Sequence, residues 1–166
     1  FTVNIALIHG STPILGVVYA PALDDMYYAK KDKGAYKNSQ KLPLKANKNP
    51  AEKLTVVASQ SHLSAETQEF IANLQTKEIE QVSKGSSRKS SLVAEGEADI
   101  DPRLAPTMEW DTAAAHAVAV EAGKHVLQFE NNEPVLYRLG SISIEDITNV
   151  IGQVKIKNNK EIAPNA

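Results

Sequence analysis

The sequence predicts a layered α/β fold built in two parts, and three observations carry that prediction. Residues 1–50 hold short runs rich in β-branched and aromatic residues, broken by turn residues. Residues 51–166 alternate strand-like with helix-like segments, the pattern of sheets covered by helices. The 166 residues are 42% hydrophobic, enough for one ordinary core. The expected division is a β-meander over 1–50, belonging to a first, larger sheet, and a carboxy-terminal α/β domain over 51–166.

The elements follow in order. "FTVNIALI" puts Phe1, Val3, Ile5 and Leu7 on one face of a strand. "PILGVVYAP" and "DDMYYAKK" continue the meander; "HGSTP" and "KDKGAYKN" separate strands, with Gly34 available for a positive φ. "QKLPLKANKNP" is polar, holds two prolines and reads as a linker. "KLTVVASQ" is a strand, and "SAETQEFIANLQ" an amphipathic helix capped by Ser64, with Phe70, Ile71 and Leu74 inward. "KEIEQVS" is a strand with Ile79 and Val82, "SSRKSSLVAEGEAD" a helix opening after Gly85, and "IDPRLAP" a short strand or loop. "WDTAAAHAVAVEAG" is a helix stopped by glycine, whose Ala113, Ala114 and Ala117 allow close packing on a sheet. "KHVLQFENNEPVLY" reads as a hairpin around Asn131-Asn132, and "SIEDITNVIGQ" as a short helix capped by Ser143. The acids Asp24, Asp25, Glu78 and Glu80 read as solvated faces.

Composition removes several function classes. A net charge of -2 gives no electrostatic argument for a nucleic acid polymer or an anionic membrane. Without cysteine there are no disulfides or thiolate metal sites, which fits a reducing compartment and a cytoplasmic protein, the periphery of the inner membrane included. No apolar run is long enough for a transmembrane segment, and no charged region precedes "FTVNIALI" to make it a signal peptide. The chain opens on a strand without Met, so an upstream segment is expected.

Three stretches could carry chemistry. In "MEWDTAAAHAVAVEAG", Asp111 reads locally as a helix N-cap, worth about 1 kcal/mol, ahead of a metal ligand. His116 has no second histidine at ligand spacing and reads as a packed or surface residue. "SKGSSRKSS" joins a glycine, hydroxyls and the cations Arg88 and Lys89 at a strand-to-helix junction, where free N–H groups can hold phosphate. Its local reading is an ordinary serine-capped helix, and it lacks P-loop spacing. In "VASQSHLS", Ser59, Ser61 and His62 follow a strand's carboxyl end, a common ligand position in α/β sheets, though a capping turn into the next helix is the safer local reading. No G-x-S-x-G elbow makes any of these serines a nucleophile.

The run "VSKGSSRKSSLVAEGEADIDPRLAPTMEWDTAAAHAVAVEAG" resembles the carboxy-terminal half of the inositol-monophosphatase superfamily. Within that superfamily it is similar to the bacterial 3'(2'),5'-bisphosphate nucleotidases of the sulfur-assimilation type. "WDTAAAHAVAVEAG" resembles the superfamily's second signature, and "FTVNIALI" the strand after its first metal motif. The resemblance spans nearly the whole chain and weakens after "PVLY". It implies an αβαβα sugar-phosphatase-like fold, of which this chain is the second half. It implies a Mg²⁺-dependent phosphomonoesterase that removes the 3'-phosphate of a small-molecule nucleotide bisphosphate, 3'-phosphoadenosine 5'-phosphate.

By the same resemblance Asp111 is a metal ligand and catalytic residue. Gly85, Ser86 and Lys89, and more weakly Ser61 and His62, lie on the substrate side, and Glu109 orients the site or faces the adenosine pocket. A carboxylate at a helix start suits a hard cation, and two metals about 4 Å apart can activate water and stabilise a leaving oxygen.

The chain also departs from the pattern. The family's paired-acid and D-P-x-D-G-T motifs are absent; "ADIDPRL" holds a D-P but no D-G-T. The chain alone is therefore expected to be inactive, an oligomer or an amino-terminal half completing it. Arg88, Ser90 and Ser91 stand where apolar residues are expected, Asp101 where an aromatic is usual, and the tail from Arg138 does not resemble the family's ending. Two alternatives remain: an inositol or sugar monophosphatase, and a non-catalytic half-domain that binds a partner.

Overall fold

A computed structural model describes residues 1–46, 49–58, 63–83, 88–104 and 107–137, together with the backbone of 149–152, 154–157 and 161–164. The first sheet is an antiparallel meander of β1 (Val3–His9), β2 (Thr12–Ala20), β3 (Asp25–Lys30), β4 (Ala35–Lys37) and β5 (Gln40–Lys41), in that spatial order. Gly34 takes φ +82° in the β3–β4 turn, as its position predicts.

The pleat divides this sheet into two unlike faces. Val18 of β2 is buried with Tyr27, Ala29 and Ala35, against Ala114, Ala115 and Val118 of helix α3 (Glu109–Glu121). On the other face, register sets Val3 opposite Tyr19, Ile5 opposite Val17 and Leu7 opposite Leu15. The expected row Val3, Ile5 and Leu7 does share a face, but that face is open, each residue being 45–58% exposed. Leu15, Val17, Met26, Tyr28 and Tyr36 continue it into an apolar groove of about 360 Å³.

The second sheet has the order β7-β6-β8-β10-β9: β6 (Lys53–Val57), β7 (Glu78–Val82), β8 (Ile100–Arg103), β9 (His125–Gln128) and β10 (Asn149–Gly152). β6 runs parallel to β7 and β8, while β10 lies antiparallel between β8 and β9. Helix α1 (Ala65–Ala72) starts as expected: the Ser64 hydroxyl accepts from Thr67 N–H, and Phe70, Ile71 and Leu74 pack on Leu54, Val56 and Ile100. On the opposite face, Leu92 and Val93 of helix α2 (Arg88–Glu95) and Ala113 and Ala119 of α3 pack with Val57, Val126 and Tyr137. The layers run sheet, helices α2 and α3, sheet, helix α1. A last pair, β11 (Val154–Lys157) and β12 (Glu161–Pro164), forms a separate ladder.

Three local expectations change. The return arm of the "KHVLQFENNEPVLY" hairpin keeps two bonds, Gln128 N–H to Glu133 O and Val135 N–H to Val126 O, but forms no regular strand. Pro134 has no N–H to continue a ladder, and β9 pairs with β10 instead. Asn149–Gly152, expected at the end of a helix, is strand β10, where its backbone groups serve the ladders of both β8 and β9; Ser143 lies outside the described residues. The linker is also partly anchored, since Leu42 is buried and the N–H groups of Leu44 and Lys45 both donate to Glu95 O.

Helix α3 is buried on both sides, every residue from Thr112 to Ala119 being inside. Its small residues are what permit this. A Cβ built on Gly16 would overlap the Ala114 carbonyl oxygen and come within 2.9 Å of Ala117 Cβ. Gly123, at φ +80°, stops the helix. Before that stop, the Glu121 carboxylate accepts from the N–H groups of Asp32 and Gly34, tying α3 to the β3–β4 turn.

Beneath its first turn a buried polar chain fixes α3. The Tyr137 hydroxyl donates to Thr112 Oγ1 at 3.2 Å, and Thr112 Oγ1 donates to Glu109 O at 3.2 Å. His116 Nδ1 lies 3.1 Å from the Tyr137 oxygen. With the phenol proton used on Thr112, a neutral His116 carrying its proton on Nδ1 completes the chain. Burial pushes the His116 pKa down to about 4 and the Tyr137 phenol up.

Two measurements follow from this packing. Gly16→Ala sets a methyl against backbone, so it lowers the urea-unfolding free energy by about 1–3 kcal/mol at unchanged m. His116 is neutral in the fold down to about pH 4, whereas its unfolded value is 6.5. Its contribution is therefore full above pH 6.5 and is lost as pH falls through that window to about 4, about 3 kcal/mol in all. His116→Gln flattens the pH dependence of unfolding across that window; an unchanged slope would show that His116 does not carry it.

Candidate functional site

Because β6, β7 and β8 run in one direction, their carboxyl ends share one edge of the second sheet. α2 opens beyond the end of β7 and α3 beyond the end of β8, and the two helices pack together. Their first turns bring Arg88 and Lys89 on α2, and Glu109, Trp110 and Asp111 on α3, to that edge. Ligand sites of parallel α/β sheets lie at such edges.

Asp111 is not the helix cap. Met108 holds the N-cap position, with extended backbone and no side-chain capping bond. Asp111 already lies in the first turn, its N–H bonded to Met108 O at 3.0 Å. The helix starts three residues earlier than the Asp111-capped reading, because Glu109, Trp110 and Asp111 already adopt helical backbone. Capping therefore makes no claim on the Asp111 carboxylate. That half-buried group has no hydrogen bond or ion pair among the described residues, while the helix start favours its negative charge. Glu109 shares the turn, and Trp110 is 59% exposed beside it.

The two cations of "SRK" separate. Arg88 Nη2 pairs with Asp25 Oδ2 at 3.2 Å, whereas Lys89, half-buried, has no ion pair among the described residues. Asp25 is therefore not on a solvated face. It also binds Lys37 Nζ at 3.2 Å, and Lys37 binds Glu95 at 3.1 Å, which in turn receives the Tyr27 hydroxyl. This cluster borders a polar cavity of about 470 Å³ between α2 and strands β6 and β7 of the second sheet, with Lys37 of the first sheet at its rim. Glu78 and Glu80 do form an exposed face, paired with Lys53. Gly85, Ser86, Ser61 and His62, with Ser59, lie outside the described residues.

One group was not visible as a group in the sequence. Ser90 Oγ donates to Asp101 Oδ2 at 2.8 Å, Arg103 Nε donates to the same oxygen at 3.0 Å, and Arg103 Nη2 reaches Ser90 Oγ at 3.3 Å. Arg103 ends β8 and stands at the same sheet edge. The available signal was the i, i+2 spacing of Asp101 and Arg103, which shares a face on a strand.

Mg²⁺ prefers six oxygen donors in octahedral geometry. Asp111 suits it in kind, but no group of three acids or histidines that could hold a metal is found among the described residues. The donors present do not complete a metal site, so no chemical step is routed through one. Among the described residues, no helix is long and apolar enough to cross a membrane.

Comparison with known proteins identifies the architecture. The profile of the inositol monophosphatase family matches residues 1–162. The 3'(2'),5'-bisphosphate nucleotidase CysQ of Salmonella typhimurium is 49% identical over 126 residues, covering 76% of this chain and 50% of that protein. CysQ of Aggregatibacter actinomycetemcomitans is 35% identical over 139 residues, covering 82% of this chain and 51% of that protein. The crystal structure of CysQ from Bacteroides thetaiotaomicron, a bacterial member of the inositol monophosphatase family, superposes with TM-score 0.82 at 38% identity, covering 91% of this chain and 62% of that one. An inositol monophosphatase from Zymomonas mobilis shares the fold, with TM-score 0.72 at 18% identity over 91% of this chain and 56% of that one. The chain spans about half the length of the curated relatives it matches. On the family profile, the identities and the shared layers of sheet and helix, the chain belongs to the inositol monophosphatase family.

Proposed function

We propose that the full-length protein is a Mg²⁺-dependent 3'(2'),5'-bisphosphate nucleotidase that removes the 3'-phosphate of 3'-phosphoadenosine 5'-phosphate in the cytoplasm. The observation that carries this reading is the Asp111 carboxylate, which has no partner among the described residues, at an edge it shares with Lys89 and at a helix start that does not use it as a cap. The 49% identity to a bisphosphate nucleotidase supports the choice of substrate over an inositol or sugar phosphate.

The roles follow from the chemistry of each group. Asp111 is assigned to metal and catalysis, since an anion at a helix start is stabilised without being neutralised. Lys89, a cation in the first turn of α2, is assigned to substrate phosphate. Gly85 and Ser86, just before α2, and Ser61 and His62, just after β6, are assigned to the substrate side with it. Glu109 orients the first turn of α3 or faces the adenosine. Arg103, a cation that ends a parallel strand at the same sheet edge, is a further candidate for the phosphate side.

The remaining metal donors are assigned to the paired-acid and D-P-x-D-G-T motifs that this chain lacks. Residues 1–50 are likewise assigned to a larger sheet. β1 pairs only with β2 among the described residues, and its outer face carries exposed Val3, Ile5 and Leu7. A free strand edge beside an apolar face is a surface that proteins ordinarily cover.

Steady-state phosphate release by the full-length protein tests the substrate. kcat/KM is expected to be higher for 3'-phosphoadenosine 5'-phosphate than for inositol monophosphate by roughly tenfold or more. The reverse preference would make it an inositol phosphatase, and no release from either would favour the partner-binding half-domain.

Asp111→Asn tests the metal assignment. The full-length variant is expected to lose activity on the order of a hundredfold or more. Its Mg²⁺-free stability should change by no more than the helix-dipole term, about 0.3–1 kcal/mol. Residues 1–166 alone, titrated with Mg²⁺, should release no phosphate. Full activity of the variant, or metal-dependent turnover by residues 1–166, would overturn the assignment.

A further inference from the structure

Helix α2 carries Arg88 at one end and Glu95 at the other, and both are tied to the first sheet. Asp25 and Tyr27, two apart on β3, share one face, and register sets Lys37 of β4 opposite Tyr27. Lys37 Nζ binds Asp25 Oδ1 at 3.2 Å and Glu95 Oε1 at 3.1 Å. Arg88 Nη2 donates to the other Asp25 oxygen, Oδ2, at 3.2 Å. The Tyr27 hydroxyl donates to Glu95 and closes the group. Residues seven apart lie on one side of a helix. One side of α2 is therefore held at both ends by a single aspartate–lysine pair.

Along that side lies a cavity. Arg88, Leu92 and Glu95 all line the polar space of about 470 Å³, with Thr55, Glu80 and Val82 across it. Apolar packing that would resist rotation of α2 is thinned there, so the ion pairs carry more of the load. Arg88 depends on Asp25 in particular. Its Nε is buried with no hydrogen-bond partner among the described residues, which leaves the attachment to Nη2. A roll of α2 would stretch the contacts at both ends. It would also sweep Lys89 sideways, since consecutive helical residues stand about 100° apart round the axis.

We propose that Asp25, braced by Lys37, is a positioning residue for substrate binding: through Arg88 it sets the roll of α2 and so holds Lys89 at the edge where substrate phosphate binds. This rests on the role assigned to Lys89 above and deepens it, and it gives Asp25 and Lys37 no contact with substrate. It also accounts for Arg88, a cation where the family pattern is apolar, as a residue engaged by the first sheet and not by the ligand.

The test uses the full-length protein, with phosphate release from 3'-phosphoadenosine 5'-phosphate and calorimetric binding of the same compound in EDTA, where turnover is suppressed. Asp25→Asn keeps the shape and removes the charge that holds Arg88. It is expected to raise KM and Kd about fivefold with kcat within about twofold. Arg88→Leu breaks the same link without leaving a cation unpaired, and is expected to raise them by a similar factor. In a Lys89→Ala background, Asp25→Asn should add nothing further to Kd, because its effect passes through Lys89. A purely structural role would lower thermal stability and leave that cycle additive. Unchanged KM and Kd in either single variant, a fall in KM on freeing Arg88, or additivity with Lys89→Ala would overturn the inference while the nucleotidase reading stood. Binding that depends on Asp25 through Lys89, in a wild-type protein that releases no phosphate, would support the inference and overturn the nucleotidase reading. A wild-type protein that neither binds nor hydrolyses the compound would overturn both.

Discussion

Gly16 of β2 lies so close to α3 that even a methyl group there would overlap the Ala114 carbonyl. On its other side the same helix presents Ala113 and Ala119 to Val57, Val126 and Tyr137 of the second-sheet layer. A helix wedged between two sheets has little freedom to slide or rotate, because interiors pack like solids. The Glu121 carboxylate adds a clamp at one end, and the His116–Tyr137–Thr112 chain adds one beneath the other. The first turn of α3, with Glu109 and Asp111, thereby inherits its position from apolar packing. Asp111, whose carboxylate has no partner among the described residues, is held by that support.

The parts of this arrangement legible in the sequence were those with short-range chemistry. Ser64 before an amphipathic run, Gly34 in a turn and Gly123 after a helix each follow from one residue's hydrogen bonding or backbone freedom. The alanine run announced close packing, though it could not say against which partner. What it hid depended on distant chain. Asp111 looked like a cap because Asp caps helices well, yet two residues before it also fit a first turn, and Met108 took the cap position without a capping side chain. Asn149–Gly152 lost a helix reading to the slot between β8 and β9, which no local pattern records. Asp25, read as solvated, is partly enclosed by Lys37 and Arg88, separated from it by 12 and 63 residues.

Legibility of the candidate site divides along the same line. Lys89 and Asp111 were singled out by the family resemblance, since read locally each belonged to an ordinary capped helix. Which of two adjacent cations stays available was not readable, since it turns on Asp25, which occupies Arg88 and leaves Lys89. Arg103 was missed for the same reason, as its partners come from α2 and from two residues earlier on its own strand.

The departures from the family pattern point the same way. Arg88, Ser90 and Asp101, each foreign to an apolar core when read alone, each have a partner in the fold. A lone aspartate at Asp101 would cost several kcal/mol of desolvation, whereas one that shares an oxygen between Ser90 and Arg103 recovers much of it. Such substitutions are mutually dependent. Ser90 without Asp101 would leave a buried hydroxyl short of its acceptor, and Asp101 without Arg103 would leave a buried charge. Ser91, also buried, has no hydrogen-bond partner for its hydroxyl among the described residues, and the fold offers no account of it. The polar residues that were joined lie between α2 and the carboxyl end of β8, against the edge where Lys89 and Asp111 stand. Polarity has therefore entered this core as bonded groups, each joining residues of different elements, while the apolar clusters between them carry the packing.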